Sequence, residues 1–332
     1  MFWGDLDMNI RWKEVLLMFF LGILCPAIVF SGLDARNIIQ EGDSGMTTAS
    51  SATDGEEEEA HISLLQDDGT IVRLPLETYI VGVVLKEMPA SFETEALKAQ
   101  AVVARTYTLR RIQAGGKHAG AAVCTNPSCC QGYCAVSEYT AAGGEEEMVQ
   151  KVSQSVSDTR SLILTYHGEL IEATYFSCSG GRTEDAVAVW GAEIPYLKAT
   201  QSPGEEQANH YTDTVTFTVG ELKAKLGLQL QDGQLLQIGD ITYTAGGGVE
   251  QIRIGEQTFS GTQIRKLLDL RSTAFIITCT GTTVTITTKG YGHRVGMSQY
   301  GADAMAVGGK DFRQILLHYY QGVDIVSVDQ ID

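Results

Sequence analysis

Residues 76–108 read LETYIVGVVLKEMPASFETEALKAQAVVARTYT. In the first half Leu76, Tyr79, Ile80, Val83, Val84 and Glu87 recur at intervals of three and four, the spacing of one face of an α-helix. An apolar stripe thus ends on a carboxylate. Pro75 stands where a helix tolerates proline best, at its start. Pro89 stops this helix and Ser91 is placed to cap a second one. Glu93 and Glu95 fall in the turn where acids complement the helix dipole, and an Ala-rich run continues to about Arg111. Two helices therefore meet near Glu87.

A carboxylate on the buried face of a helix loses hydration, so its pKa rises unless a cation compensates. A glutamic acid raised in this way can act as a general acid. The plainer alternative is a Glu87 that pairs with a basic neighbour at the helix end, and periodicity alone favours it. Lys98 and Arg105 are seven apart in the second helix, which puts them on one face two turns along. They either line a groove for an acidic, hydroxyl-rich substrate or form an ordinary solvated face.

Upstream, residues 62–74 (ISLLQDDGTIVRL) alternate around an Asp-Gly turn and predict a hairpin. Residues 1–14 carry Arg11 and Lys13, and Val15–Leu33 (VLLMFFLGILCPAIVFSGL) is an uncharged apolar run long enough to cross a bilayer. The positive flank precedes the run and Asp34 follows it, so the body of the chain is expected outside the cytoplasm. A cleaved signal peptide is the alternative, with only a fair cleavage site near Ala35. Residues 34–61 turn to Gly, Ser, Thr, Asp and a Glu56–Glu59 run, a disordered linker by composition.

Downstream, a Gly, Pro and Cys-rich stretch leads to residues 161–179, two strands joined at His167-Gly168 and closed by Gly180-Gly181. Residues 210–275 mix strands with helices near Glu221–Leu226 and Thr262–Leu270, consistent with a smaller inserted α/β subdomain. A β-branched strand at 282–288, a glycine-punctuated loop to Met297 and two helices finish the chain, the last capped by Asp311 and stopped at Gly322. The class is α+β, with helices and antiparallel sheets around a substrate groove.

A net charge of −17, from 24 basic and 41 acidic residues, argues against a nucleic-acid partner. His118, Cys124 and Cys130 are evenly spaced, with five residues in each gap, and supply one imidazole and two thiolates to a tetrahedral zinc site. Cys129 or Cys134 offers a fourth ligand, and disulfides are the alternative outside the cytoplasm. A full set of protein ligands would make the metal structural.

The 76–108 stretch closely resembles the signature of the stage II sporulation protein D family, membrane-anchored lytic transglycosylases of endospore-forming bacteria. Three further segments fit it: ATYFSCSGG (173–181), PYLK (195–198) and GYGHRVGMSQYGA (290–302). Together the likeness spans residues 62–325. It departs at Arg294, where the family usually carries glycine, which puts the role of His293 in question.

By that resemblance Glu87 is the catalytic acid, while Lys98, Arg105, Tyr196, Lys198, His293 and Gln299 hold the glycan; Tyr175 and Ser177 are looser matches. The implied reaction needs one carboxyl group. Glu87 protonates the glycosidic oxygen, then takes the proton from the C6 hydroxyl of muramic acid as a 1,6-anhydro ring closes. Ordinary glycosidases use two carboxyl groups, and Glu184, Asp185 and Asp303 are the available second members. Positive side chains would suit the lactyl carboxylates of strands stripped of peptide. The resemblance further implies a zinc ion on His118, Cys124 and Cys130. It implies partnership with stage II sporulation proteins P and M, and a single-pass location in the membrane engulfing the forespore. A non-catalytic module that enhances an amidase, or a scaffold for other wall enzymes, is the rival role.

Overall fold

The computed structural model describes residues 60–229 and 235–330. The apolar run at 15–33 and the linker up to residue 59 lie outside the described residues, and no described helix is long and apolar enough to cross a membrane.

The chain opens with the hairpin of β1 (His61–Leu65) and β2 (Ile71–Pro75), paired antiparallel about Asp68-Gly69. Asp68 Oδ1 accepts from the Thr70 amide at 2.9 Å, and Gly69 supplies the left-handed φ of +86° that the turn requires. Helix α1 (Leu76–Glu87) follows from Pro75 with no connecting loop. Its stripe is buried, with Tyr79, Ile80, Val83 and Val84 fully shielded. Helix α2 (Thr94–Gln113) is more completely enclosed than a two-faced pattern predicts, because its Ala and Val residues meet neighbours on several sides. Ser91 does not cap it. Phe92 N–H closes a turn onto the Pro89 carbonyl, which carries the chain two residues further to an N-cap at Glu93.

Strand β3 (Val123–Cys124) pairs parallel to β1. Two helices then occupy the stretch expected to be irregular: α3 (Val136–Ala141) and α4 (Glu146–Asp158). The second is amphipathic, burying Val149, Val152 and Val156 against α1 and α2. Strands β4 (Leu162–Tyr166) and β5 (Glu169–Leu170) form the hairpin predicted at His167-Gly168, where both residues have positive φ. Strand β6 (Tyr175–Phe176) and helix α5 (Ala186–Trp190) lead to a second hydrophobic core.

That second core packs β7 (Thr212–Thr218), α6 (Val219–Leu226), β8 (Ile238–Tyr243), β9 (Val249–Ile254), β10 (Gln257–Ser260), α7 (Gly261–Leu268), β11 (Phe275–Thr280) and β12 (Thr283–Lys289). Its two sheets run β10-β9-β8 and β11-β12-β7, all antiparallel. The capping-box signatures at Thr218 and Ser260 start its helices. It extends past residue 275, since β12 pairs with β7 along its whole length.

The chain then returns to the first core through β13 (Met297–Ser298), parallel to β6, and helices α8 (Gln299–Val307) and α9 (Phe312–Tyr319), the latter capped by Asp311 as expected. Strand β14 (Asp324–Ser327) adds to β4. The class is α+β.

Arg294 holds the two regions in register. Its φ of +66° is in the left-handed region, uncomfortable for a side chain with a Cβ. The guanidinium is buried and donates to the carbonyls of Ser179 (2.8 Å), Arg182 (2.7 Å) and Gly246 (2.8 Å), and to Glu184 Oε1 (3.1 Å). The departure from glycine at Arg294 is thus a tie between the 179–184 loop and the β8–β9 turn.

Candidate active site

Helix α1 delivers Glu87 to the floor of a cleft of about 560 Å³. Its walls come from the Cys130-Gln131 loop, from residues 173–177, from Tyr291–His293, and from Gln299 and Tyr300 at the start of α8. Glu87 Oε1 accepts a close hydrogen bond from the Gly132 amide, and the Tyr175 hydroxyl is a second partner. The same hydroxyl donates to Gln131 Oε1 at 3.3 Å, and Gln131 in turn donates to Thr108 Oγ1 at 3.0 Å. Gln299 Nε2 donates to the Glu87 carbonyl at 2.9 Å, tying α8 to the end of α1.

Burial raises the pKa of Glu87, and this outweighs the opposing pull of the Gly132 amide, the Tyr175 hydroxyl and the Lys86 charge. Its place at the C-terminal end of α1 acts in the same direction as burial, because the negative pole of the helix disfavours a carboxylate. The alternative reading, a Glu87 paired with a basic neighbour, fails, because among the described residues no cation lies within ion-pair distance of it.

Among the described residues Glu87 is also the sole carboxylate lining this cleft. Each possible second carboxyl group is engaged elsewhere. Glu184 Oε1 takes Arg294, the Thr244 hydroxyl (2.8 Å) and the Gly248 amide (2.9 Å). Asp185 accepts from the Ala199 amide at 2.6 Å, and Asp303 from the Glu93 amide at 2.7 Å.

Rings make up much of the rest of the lining, from Tyr107, Tyr175, Phe176, Tyr291 and Tyr300 and from the imidazoles of His210 and His293. His293 accepts from the Val295 amide on Nδ1 at 3.1 Å, and burial, with Arg265 nearby, pushes its pKa down to about 4. It is therefore a neutral imidazole near pH 7. Among the described residues no Lys or Arg lines the cleft.

Of the residues expected to hold glycan, His293 and Gln299 line this cleft and four do not. Lys98 pairs with Glu95 (3.0 Å) and with Asp158 (3.1 Å) at the end of α4. Arg105 is buried, with Nη2 at 2.6 Å and Nε at 2.8 Å from the two oxygens of Glu77, and it donates to the carbonyls of Leu162 and Val156. Its two-turn spacing from Lys98 does not make a groove, because α2 is enclosed on that face too. Tyr196 is buried and accepts from the Glu172 amide at 2.8 Å, one residue before the cleft wall begins. Lys198 pairs with Glu193 at 2.8 Å on the surface. These four hold the frame rather than face the cleft.

Beside Glu87 lies a second cluster. The ligand atoms of His118, Cys124, Cys129 and Cys130 all lie within 4.8 Å of one another. His118 Nε2 is 3.5 Å from Cys130 Sγ and 3.7 Å from Cys129 Sγ, and the two sulfurs are 3.9 Å apart. Zn–S bonds of about 2.3 Å and Zn–N bonds of about 2.0–2.1 Å span such separations as the edges of a tetrahedron, whereas a disulfide needs sulfurs about 2.05 Å apart. The donor set fits zinc, with Cys129 as the fourth ligand; Cys134 instead directs its thiol at the Ala135 carbonyl. We expect one zinc per chain by native mass spectrometry, lost in Cys130→Ser, and replacement by cobalt to give the visible absorption of a tetrahedral thiolate site. A metal-free parent chain would refute this.

The Stage II sporulation protein family model matches residues 66–166. The chain is 42% identical over 265 residues to the stage II sporulation protein D of Bacillus amyloliquefaciens, covering 78% of this chain and 76% of that one. It is 41% identical to the protein of the same name from Bacillus subtilis (strain 168), over 78% and 77% of the two chains. The chain belongs to the stage II sporulation protein D family. A more distant relative, the amidase enhancer of Bacillus subtilis (strain 168), is 28% identical over 302 residues, 74% of this chain but 40% of that protein. In this member of the family the segments carrying Glu87, Tyr175, His293 and Gln299 converge on one cleft. Gln131 and Gly132, which seat Glu87, went unnoticed in the sequence because nothing in their spacing distinguishes them from the surrounding cysteines.

Proposed function

We propose that this chain is a lytic transglycosylase that cleaves denuded peptidoglycan between N-acetylmuramic acid and N-acetylglucosamine, leaving 1,6-anhydro ends, during engulfment in sporulation. The observation that carries the proposal is a lone carboxyl group, raised by burial, in a cleft lined with aromatic faces. A hydrolase would call for a second carboxyl group on the opposite side of the sugar. With one, the substrate's own C6 hydroxyl is the nucleophile. Glu87 donates its proton to the departing glycosidic oxygen, and the resulting carboxylate takes the C6 hydroxyl proton as that oxygen closes on C1. The Gly132 amide aims Glu87 and steadies its charge between the two transfers. Tyrosine and phenylalanine rings suit the apolar faces of pyranose rings.

In this proposal the apolar run at 15–33 anchors the chain in the engulfing membrane with the cleft outside the cytoplasm, and stage II sporulation proteins P and M act alongside it. Zinc is structural: His118 and three cysteines would hold it, leaving no position for substrate.

The test incubates the full chain in detergent with denuded strands and weighs the products. Ends lighter by one water support the transglycosylase; reducing ends would mean hydrolysis. Similarity to the amidase enhancer favours a second role, a wall-binding module that stimulates an amidase. Absence of cleavage, together with full stimulation of an amidase by Glu87→Gln, would establish that role instead.

A further inference from the structure

If the substrate is a strand bearing lactyl carboxylates, some cation should meet them, yet among the described residues no Lys or Arg lines the cleft around Glu87. Lys98, Arg105 and Lys198 are all neutralised by acids. Cations do occur immediately next door. A second cavity of about 470 Å³ lies between α5 and α7, lined by Val189 and Trp190 on one side and by Thr262, Arg265, Lys266, Asp269 and Leu270 on the other. His293 lines both cavities. Its ring stands 5.6 Å from Phe176 and 5.5 Å from Trp190, so three aromatic rings run in succession out of the first cavity and into the second.

The second cavity has the chemistry the first lacks. Trp190 is 43% exposed, on a five-residue helix that leaves its ring uncovered. Arg265 donates to the Leu270 carbonyl at 3.3 Å, Lys266 is exposed, and neither forms an ion pair among the described residues. Burial makes the Arg265 charge costly to leave uncompensated and draws its pKa down, against the smaller opposing pull of Tyr291 and Asp269. Two cations against one acid, beside a free indole face, make a site for an anionic, flat-faced ligand.

We propose that this cavity is a secondary subsite for the same glycan strand. In it the lactyl carboxylate of a muramic acid bonds to Arg265 and Lys266 while its pyranose ring rests on Trp190. The inference rests on the peptidoglycan reading above and deepens it, because it separates strands carrying muramic acid from neutral chitin-type strands at a site away from the chemistry. His293 acts as the ridge over which the strand passes.

The experiment is calorimetric binding to the full Glu87→Gln chain in detergent, which holds a strand without cleaving it. The probes are a denuded peptidoglycan octasaccharide and chitooctaose, which has the same backbone without lactyl groups. The peptidoglycan probe is expected to bind about tenfold more tightly. Lys266→Ala, at an exposed position, should remove most of that preference and leave chitooctaose binding unchanged, whereas Trp190→Ala should weaken the binding of both probes. Equal affinity of the parent for the two probes overturns the subsite, as does a preference that survives Lys266→Ala or a Trp190→Ala chain that binds both probes as the parent does. Because the readout is binding, it stands apart from the cleavage assay. A parent chain that fails to cleave, yet prefers the carboxylated strand through Lys266, keeps the subsite while the transglycosylase falls.

Discussion

Replacing Glu87 by glutamine is expected to lower glycan cleavage about a thousand- to ten-thousand-fold, ~4–5.5 kcal/mol on the barrier. The figure sits at the upper end for general acid–base catalysis because the same group serves as acid and then as base. Glutamine is nearly the shape of the acid and can still accept from the Gly132 amide, so the fold should persist. Cleavage by the parent should also fall as pH climbs through the raised pKa of Glu87, with that limb above the usual glutamate range. The sign for stability follows from the same shift. A carboxyl group whose folded pKa is raised contributes most below its unfolded pKa, and the contribution is lost as pH rises through the folded value. Near neutral pH the glutamine chain should therefore melt no lower than the parent. A Glu87→Gln chain that still yields anhydro ends at more than a tenth of the parental rate would remove Glu87 from the chemistry.

The second large effect is on stability. Arg105→Met should destabilise the protein by about 3–5 kcal/mol, because it leaves Glu77 and two backbone carbonyls without the guanidinium that joins them. That is a large share of the ~5–15 kcal/mol typical of a domain. Arg105→Lys should recover little, since an ammonium cannot reproduce the two-pronged contact with Glu77. Replacing Glu77 by Gln in the same chain should return part of the loss, because the uncompensated charge is then gone. Denaturant titration measures each step. Cleavage per folded molecule, read well below the melting temperature, should keep the parental KM. An Arg105→Met protein with a parental unfolding midpoint and a raised KM would return Arg105 to the glycan.

These two residues mark where the sequence was legible and where it was not. Glu87 could be read because two constraints coincide there: the apolar stripe of α1 runs into it, and Pro89 forces the chain to turn just beyond. Arg105 has the same look in sequence as a solvated helix residue. A seven-residue spacing states which face of α2 it shares with Lys98, but not that β4 and α4 cover that face. Helix α4 itself went unread, although Val149, Val152 and Val156 repeat at helical spacing and acids fill its first turn; the Gly and Cys content of the residues before it obscured the pattern. Ser91 shows the limit of local capping rules, since a single turn onto Pro89 moved the helix start beyond it. The metal cluster was partly visible from the even spacing of His118, Cys124 and Cys130. Cys129 joins them only because the turn after Asn126 folds two consecutive cysteines toward one imidazole.

Gly132 lies two positions beyond the cluster's Cys130, and a Cβ built there would meet Glu87 Oε1 and Lys86 Cγ, each at 2.9 Å. The seat of the acid is therefore only as wide as a hydrogen atom. Any side chain at this position would force the Glu87 carboxyl or the Lys86 stem to shift. For the chemistry proposed above, the identity of this loop residue then matters as much as that of the acid it seats.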